Sequence, residues 1–182
     1  MLAYVFWHWP RPALSPEEYE THLRAFHASL RRNLPAGMKR SFAWRVEGAA
    51  WLPAGHAYED WYLLEDSSAL DSIDRLVDSG ETADPHDAVA ALAAGGTAGL
   101  YRPVLAAEGR GGTAALWFGK PPGLSYAQLY QALDEYPPPG PTQLWQRMLT
   151  LGPTPEFCLI GDEPRLPRGW PPIVLRRSPI WP

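Results

Sequence analysis

Histidine is the side chain that trades a proton near neutral pH, so the five histidines of this 182-residue chain are the first place to look for chemistry. His8 falls in the apolar opening run Leu2 to Trp9, and His27 falls in a helical stretch that carries Tyr19, Leu23, Phe26 and Leu30 on one face. Either can take a proton from a phenol or an activated carbon. Asp60 is the carboxylate expected to hold the acting imidazole in one tautomer. Tyr58, or the guanidinium of Arg45 or Arg102, is expected to stabilise the oxyanion that develops. His8, His27, Asp60 and Tyr58 therefore form the candidate catalytic set. Tyr4, Phe6, Trp44, Arg45, Tyr62, His86 and Arg102 form the candidate ligand-binding set.

Each of these residues also has a structural reading. His27 lies about 70–80° off the centre of its apolar stripe, toward a helix end where the dipole favours a cation. His86 sits in Asp84-Pro85-His86-Asp87, where Asp84 reads as an N-cap, Pro85 as the first helical residue and Asp87 as first-turn charge. His22 lies on the opposite helix flank, and His56 in Pro53-Ala54-Gly55-His56 reads as an exposed loop residue. No two histidines are spaced i, i+4, and Cys158 is the single cysteine, so no metal site is expected. Gly95-Gly96-Thr97-Ala98-Gly99 ends a helical pattern and does not open one, so it is no phosphate loop. Ser15 and Ser125 read as helix caps, not nucleophiles.

Composition narrows the classes of partner. The formal charge is −4, with 20% charged and 46% hydrophobic residues, which argues against a nucleic-acid binder and against a disordered acidic tail. One cysteine argues against a disulfide framework and fits a reducing, cytoplasmic setting. No apolar run approaches the length of a membrane span, and Leu2 to Trp7 is too short and lacks the basic flank of a signal peptide. Nine tryptophans are more than one small core readily hides, because each ring buries about 200 Å² and carries an N–H that wants a partner. Some are expected to line a pocket, and Trp51, Trp170 and Trp181 to anchor neighbouring subunits of a homo-oligomer.

The elements that must position the histidines occur twice. Phe6-Trp7-His8-Trp9-Pro10-Arg11-Pro12-Ala13-Leu14-Ser15 is echoed 110 residues later by Leu116-Trp117-Phe118-Gly119-Lys120-Pro121-Pro122-Gly123-Leu124-Ser125. In each, an apolar run predicts a strand, the proline-rich stretch a turn, and the serine the cap of an amphipathic helix, with Leu129, Leu133 and Tyr136 forming the second helix's stripe. Ser41 to Val46 is echoed by Thr142 to Thr150, and Trp61 to Asp66 by Phe157 to Asp162. A second helical region, Ser67 to about Gly95, breaks near Gly80, stops at Gly95-Gly96 and leads to the strand Gly99 to Val104. Its counterpart is nearly absent from the second copy, where a proline-rich loop, Glu163 to Pro172, runs into the strand Ile173 to Arg177.

The expected fold class is therefore α+β: two ferredoxin-like β-α-β-β-(α)-β repeats, 1–107 and 113–182, joined by the linker 108–112, the second lacking most of helix two. Helices cover one face of each sheet, and the bare faces are expected to meet in an α+β barrel. Alternation puts Tyr4, Phe6 and His8 on one side of the first strand, and Tyr58, Asp60 and Tyr62 on one side of the third. This polar, aromatic side is expected to face the space between the sheets and line a cavity there.

Arg11-Pro12-Ala13-Leu14-Ser15-Pro16-Glu17-Glu18-Tyr19 followed by Phe26-His27-Ala28 resembles the EthD-like branch of the dimeric α+β barrel superfamily. That superfamily includes cofactor-free monooxygenases, polyketide-modifying enzymes, decarboxylases and haem-degrading proteins, and the resemblance places His27 at the family's helix-one histidine. The expected function is a cofactor-free enzyme acting on a small aromatic or polyketide-like molecule by histidine acid–base chemistry. The competing expectation is a barrel that binds a small apolar molecule, or joins an oligomer, without catalysis. A buried histidine or carboxylate facing an enclosed pocket would favour the enzyme.

Overall fold

The computed structural model describes residues 1–53, 55–77, 82–105 and 112–182. The expected helix break near Gly80 and most of the expected linker, 108–111, lie outside these residues. Strands β1 (Leu2–Pro10), β2 (Met38–Glu47), β3 (Ala57–Leu64) and β4 (Ala93–Leu105) come first in the chain, with helices α1 (Pro16–Arg32), α2 (Ala69–Val77) and α3 (Ala83–Ala90) between them. Strands β5 (Ala114–Phe118), β6 (Gln143–Arg147), β7 (Phe157–Gly161) and β8 (Ile173–Trp181) follow, with a single helix, α4 (Tyr126–Asp134). Residues 162–172 contain no helix.

All eight strands close into one antiparallel barrel in the order β1-β3-β2-β8-β5-β7-β6-β4. Within it, the neighbours β4-β1-β3-β2 and β8-β5-β7-β6 repeat the same order. Closure leaves no sheet edge unpaired, which removes the exposed donors and acceptors of an open sheet. Among the described residues no helix is long and apolar enough to cross a membrane.

The helix starts follow from local chemistry. Ser15 and Ser125 each accept a hydrogen bond from the backbone N–H three residues on, Glu18 and Gln128, both at 3.2 Å. Gln128 reciprocates by accepting from the Ser125 N–H, completing a capping box. Helix α4 ends before Tyr136, which is exposed and not part of the buried stripe. The prolines at 137–139 cannot donate to a helix and disfavour helical backbone in the residue before them. Thr82, not Asp84, occupies the N-cap position of α3, so Asp84 serves as first-turn charge. Gly95 and Gly96 lie inside β4, where a helix stop was expected. A Cβ at Gly95 would stand 2.7 Å from the Trp9 ring, and one at Gly96 would collide with Phe6, so the bare backbone makes room for two rings of β1.

The inward face of the barrel is lined by apolar and aromatic side chains. Ala3, Val5, Trp7, Phe42, Trp44, Trp61, Tyr101, Trp117, Trp145 and Ile160 form one buried cluster. Trp7 and Trp117 meet edge to face at 5.6 Å. At its centre Glu59, fully buried, accepts from the indoles of Trp7 and Trp61, both at 2.8 Å, and pairs with the Arg177 guanidinium at 3.0 Å. That guanidinium lies 4.2 Å above the Trp44 ring. Arg177 Nη1 also donates to the Gly112 carbonyl at 3.3 Å, a further contact that offsets part of the cost of burying the pair.

This packing corrects the expected position of the polar face. Tyr4, His8, Tyr58, Asp60 and Tyr62 point away from the barrel interior, toward α1, α2 and α3. Alternation had grouped them correctly, but the opposite side, with Trp7, Trp61 and their aromatic neighbours, fills the space between the sheets. Bulky indoles pack a closed barrel to density, whereas the polar set needs partners that α1 supplies.

Candidate active site

Between the outer face of the first half and its helices lies a cavity of about 700 Å³. Its floor is made by Tyr4, Phe6 and His8 of β1 and Asp60 and Tyr62 of β3, its wall by Tyr19, Leu23, Phe26 and Leu30 of α1, and its rim by α2 and α3. Strand pairing dictates the floor. Antiparallel register sets Phe6 against Asp60, His8 against Tyr58 and Tyr4 against Tyr62. Side chains two residues apart on each strand then share the outward face.

Asp60 is the hub. Its Oδ2 atom lies 3.2 Å from His8 Nε2 and 3.2 Å from His27 Nε2, and accepts a hydrogen bond from the Tyr62 hydroxyl at 2.9 Å. His8 Nδ1 lies 2.6 Å from the Tyr19 hydroxyl, and His27 Nδ1 lies 2.8 Å from Ser41 Oγ. Both Nε2 atoms lie within ion-pair distance of the carboxylate without making a hydrogen bond to it, so the hydrogen bonds of the cluster are Tyr62 to Asp60 and the Nδ1 contacts of His8 with Tyr19 and of His27 with Ser41. The result is a line of polar groups, Tyr19–His8–Asp60–His27–Ser41, strung across four elements, α1, β1, β3 and β2.

Burial sets its electrostatics. Removal from water alone would raise the Asp60 carboxyl, but the adjacent His27 and His8 outweigh it and hold Asp60 well below its ordinary value. The phenols move the other way. Burial pushes Tyr19 far up, helped by the Asp60 charge, and pushes Tyr58 up to about 12. Tyr62 is raised by burial and by its hydrogen bond to the carboxylate. At neutral pH the hub is one fixed carboxylate among protonated phenols.

Of the expected catalytic residues, His8 and Asp60 face the cavity, while His27 completes the cluster from behind Asp60, fully buried. Its place on the flank of the α1 stripe is the one that faces Asp60. Tyr58 does not reach the cavity; it stacks on His8 at 5.7 Å and donates to Glu20 at 3.3 Å. Of the ligand set, Tyr4, Phe6, Tyr62 and His86 line the cavity. His86 stands half-buried at the rim, against Phe26 and 3.1 Å from its neighbour Asp87.

Three expected ligand contacts lie elsewhere. Trp44 is inside the barrel beneath Arg177. Arg45 pairs with Glu20 of α1, outside the cavity. Arg102 donates to Gln146 on β6, in the other half of the barrel, at 2.7 Å. Neither arginine can serve an oxyanion at His8, because each is held by a nearer acceptor. The proposed subunit anchors are likewise engaged within the chain: Trp51 against Trp7 and Trp117, Trp170 against Phe118, and Trp181 against His27.

Tyr19 and Ser41 were not singled out by their sequence. Tyr19 stood in the apolar stripe of α1, where a hydroxyl was the only sign of a second role; the corresponding residue of α4 is Leu129. Ser41 had no local signal at all, since only the docking of α1 on β2 brings it beside His27.

No protein-family model matches the chain, and no curated protein matches it. Solved structures that resemble it include two of low identity. One is At3g17210 from Arabidopsis thaliana, at 14% identity and a TM-score of 0.44, covering 59% of this chain and 99% of that one. The other is an anthrone oxidase-like protein, at 10% identity and a TM-score of 0.46, covering 89% of this chain and 73% of that one. Neither resemblance bears on the chemistry of the cavity.

Proposed function

We propose that the cavity is the active site of an enzyme that moves a proton on a small aromatic or polyketide-like molecule, with His8 as the acid–base group. The observation that carries this reading is the geometry of His8: one ring nitrogen against a buried carboxylate, the other against a phenol that lines the cavity. Tyr19 is the group that touches substrate. As a substrate O–H or activated C–H breaks, its proton passes to the Tyr19 oxygen, and the Tyr19 proton passes to His8 Nδ1. The products are a substrate anion and an imidazolium. Asp60 holds the tautomer that leaves Nδ1 free to accept, and its charge stabilises the imidazolium once formed. His27, with Ser41 behind it, keeps the carboxylate ionised and in place.

The identical strand order of residues 2–105 and 114–181, and the paired caps Ser15 and Ser125, support reading the chain as two ferredoxin-like copies of the EthD-like kind. Strand pairing refines their alignment: Glu59 lies opposite Trp7, and Cys158 opposite Trp117. The third strands thus correspond at an offset of 99 rather than the 96 that the residue types suggested.

The apolar wall of Leu23, Phe26, Leu30 and Val89 favours a second reading, a binding protein that never turns its ligand over. A hydrogen–deuterium exchange assay on small phenolic and polyketide-like compounds separates the two. Tyr19→Phe and His8→Gln should each slow exchange at least a hundredfold while leaving ligand affinity within a few fold. Unchanged exchange in both variants, or none in the wild type despite binding, would leave only the binding reading.

A further inference from the structure

The cavity is lined by three aspartates, Asp60 at its floor and Asp71 and Asp74 at its rim, and among the described residues by no lysine or arginine. Asp71 and Asp74 are exposed and three residues apart on α2, so alone they are a solvated helix face. Asp60 is different. It is 2% exposed, its Oδ2 collects three neighbours, and its Oδ1 is buried with no hydrogen-bond partner. A buried carboxylate oxygen left without a donor is costly to maintain, and in a polar, roomy site a donor from outside the chain completes it.

We infer that the cavity recognises its aromatic ligand through a hydrogen-bond donor, an uncharged hydroxyl or a protonated amine, seated on Asp60 Oδ1, and that it rejects aromatic carboxylates. A carboxylate has no proton to give this oxygen and would meet the Asp60 charge at short range in a medium of low dielectric. A donor, by contrast, finds an acceptor already desolvated. The rings of Tyr4, Phe6, Phe26 and Tyr62 stand around the floor and accept an aromatic body or the face of a cation. The inference rests on the reading of the cavity as a ligand site, and adds what that ligand must carry.

Binding of three isosteric probes to the full chain tests it: 1-naphthylmethanol, 1-naphthylmethylamine and 1-naphthoate, followed by calorimetry at neutral pH. The alcohol or the amine should bind at least tenfold more tightly than the carboxylate, and their order tells which donor the site prefers. Asp60→Asn, which turns one acceptor into a donor, should shrink that ratio severalfold. Asp71→Asn with Asp74→Asn, a surface change that spares the floor, should weaken the amine twofold to threefold and leave the alcohol unmoved. Equal or tighter binding of naphthoate to the wild type would overturn the inference and leave the cavity a ligand site. Binding of none of the three would overturn both.

Discussion

The two outer faces of this barrel share a backbone plan and differ in what fills them. In the first half, β1 and β3 present His8, Tyr58 and Asp60 to α1. In the second half, the positions matched by strand register hold Phe118, Phe157 and Leu159, beneath α4. Those three join Leu116, Leu129, Leu133 and Leu144 in a closed apolar cluster. Apolar side chains are thus sufficient to seat a helix on this sheet. The first half instead keeps a buried carboxylate, two histidines and a cavity, none of which the fold requires. That contrast is what supports reading the first half's outer face as the proposed site.

The inward faces, by contrast, should behave alike, and the largest expected effects test that equivalence. Trp7→Ala and Trp117→Ala each remove a fully buried indole and should each cost about 3–5 kcal/mol in urea unfolding. A near-zero cost for one of them would show that the two strands are not equivalent core positions. Exchanging the outer faces tests the contrast itself. Leu159→Asp places a carboxylate with no histidine beside it and should cost roughly 3 kcal/mol. The reverse exchange, His8→Phe with Asp60→Leu, should leave stability within about 1 kcal/mol of the wild type or above it, and abolish ligand binding. A large loss of stability in that double variant would make the polar cluster a structural element after all.

The smallest effect is the acid limb of stability. Asp60 is held below its ordinary value of 3.8 by the two histidines, so its stabilising contribution is complete above that pH and is lost as pH falls through the lower, folded-state value. The melting temperature of the wild type should therefore drop more steeply below about pH 4 than that of Asp60→Asn, by about 2–4 °C for each 1 kcal/mol lost. Parallel curves for the two proteins would contradict the His8–Asp60–His27 contacts. The tyrosines carry the opposite sign: Tyr58, raised to about 12, contributes stability that disappears as pH rises above 10.

Periodicity and capping are local, and they were legible. The Ser15 and Ser125 caps, the α1 stripe and the grouping of Tyr4, His8, Asp60 and Tyr62 on one strand side all follow from spacing along the chain. The inward side of the sheet and the partners of its side chains were not local. Which side of the sheet faces inward depends on how many indoles one barrel can pack, and alternation is silent about which of two faces a closed barrel encloses. The assignments of Trp44, Arg45 and Arg102 failed for this reason, since a residue's face and its nearest partner are fixed by strands distant in sequence.

The amino-acid sequence by itself determined most of the elements and their order, because caps, prolines and periodicity act on neighbours a few residues away. Only the tertiary structure decided that His8, Asp60 and His27 meet, that Tyr19 is their link to a cavity, and that the barrel interior is filled. Contacts across 33 to 52 residues arise from strand register and helix docking, and no local pattern records them.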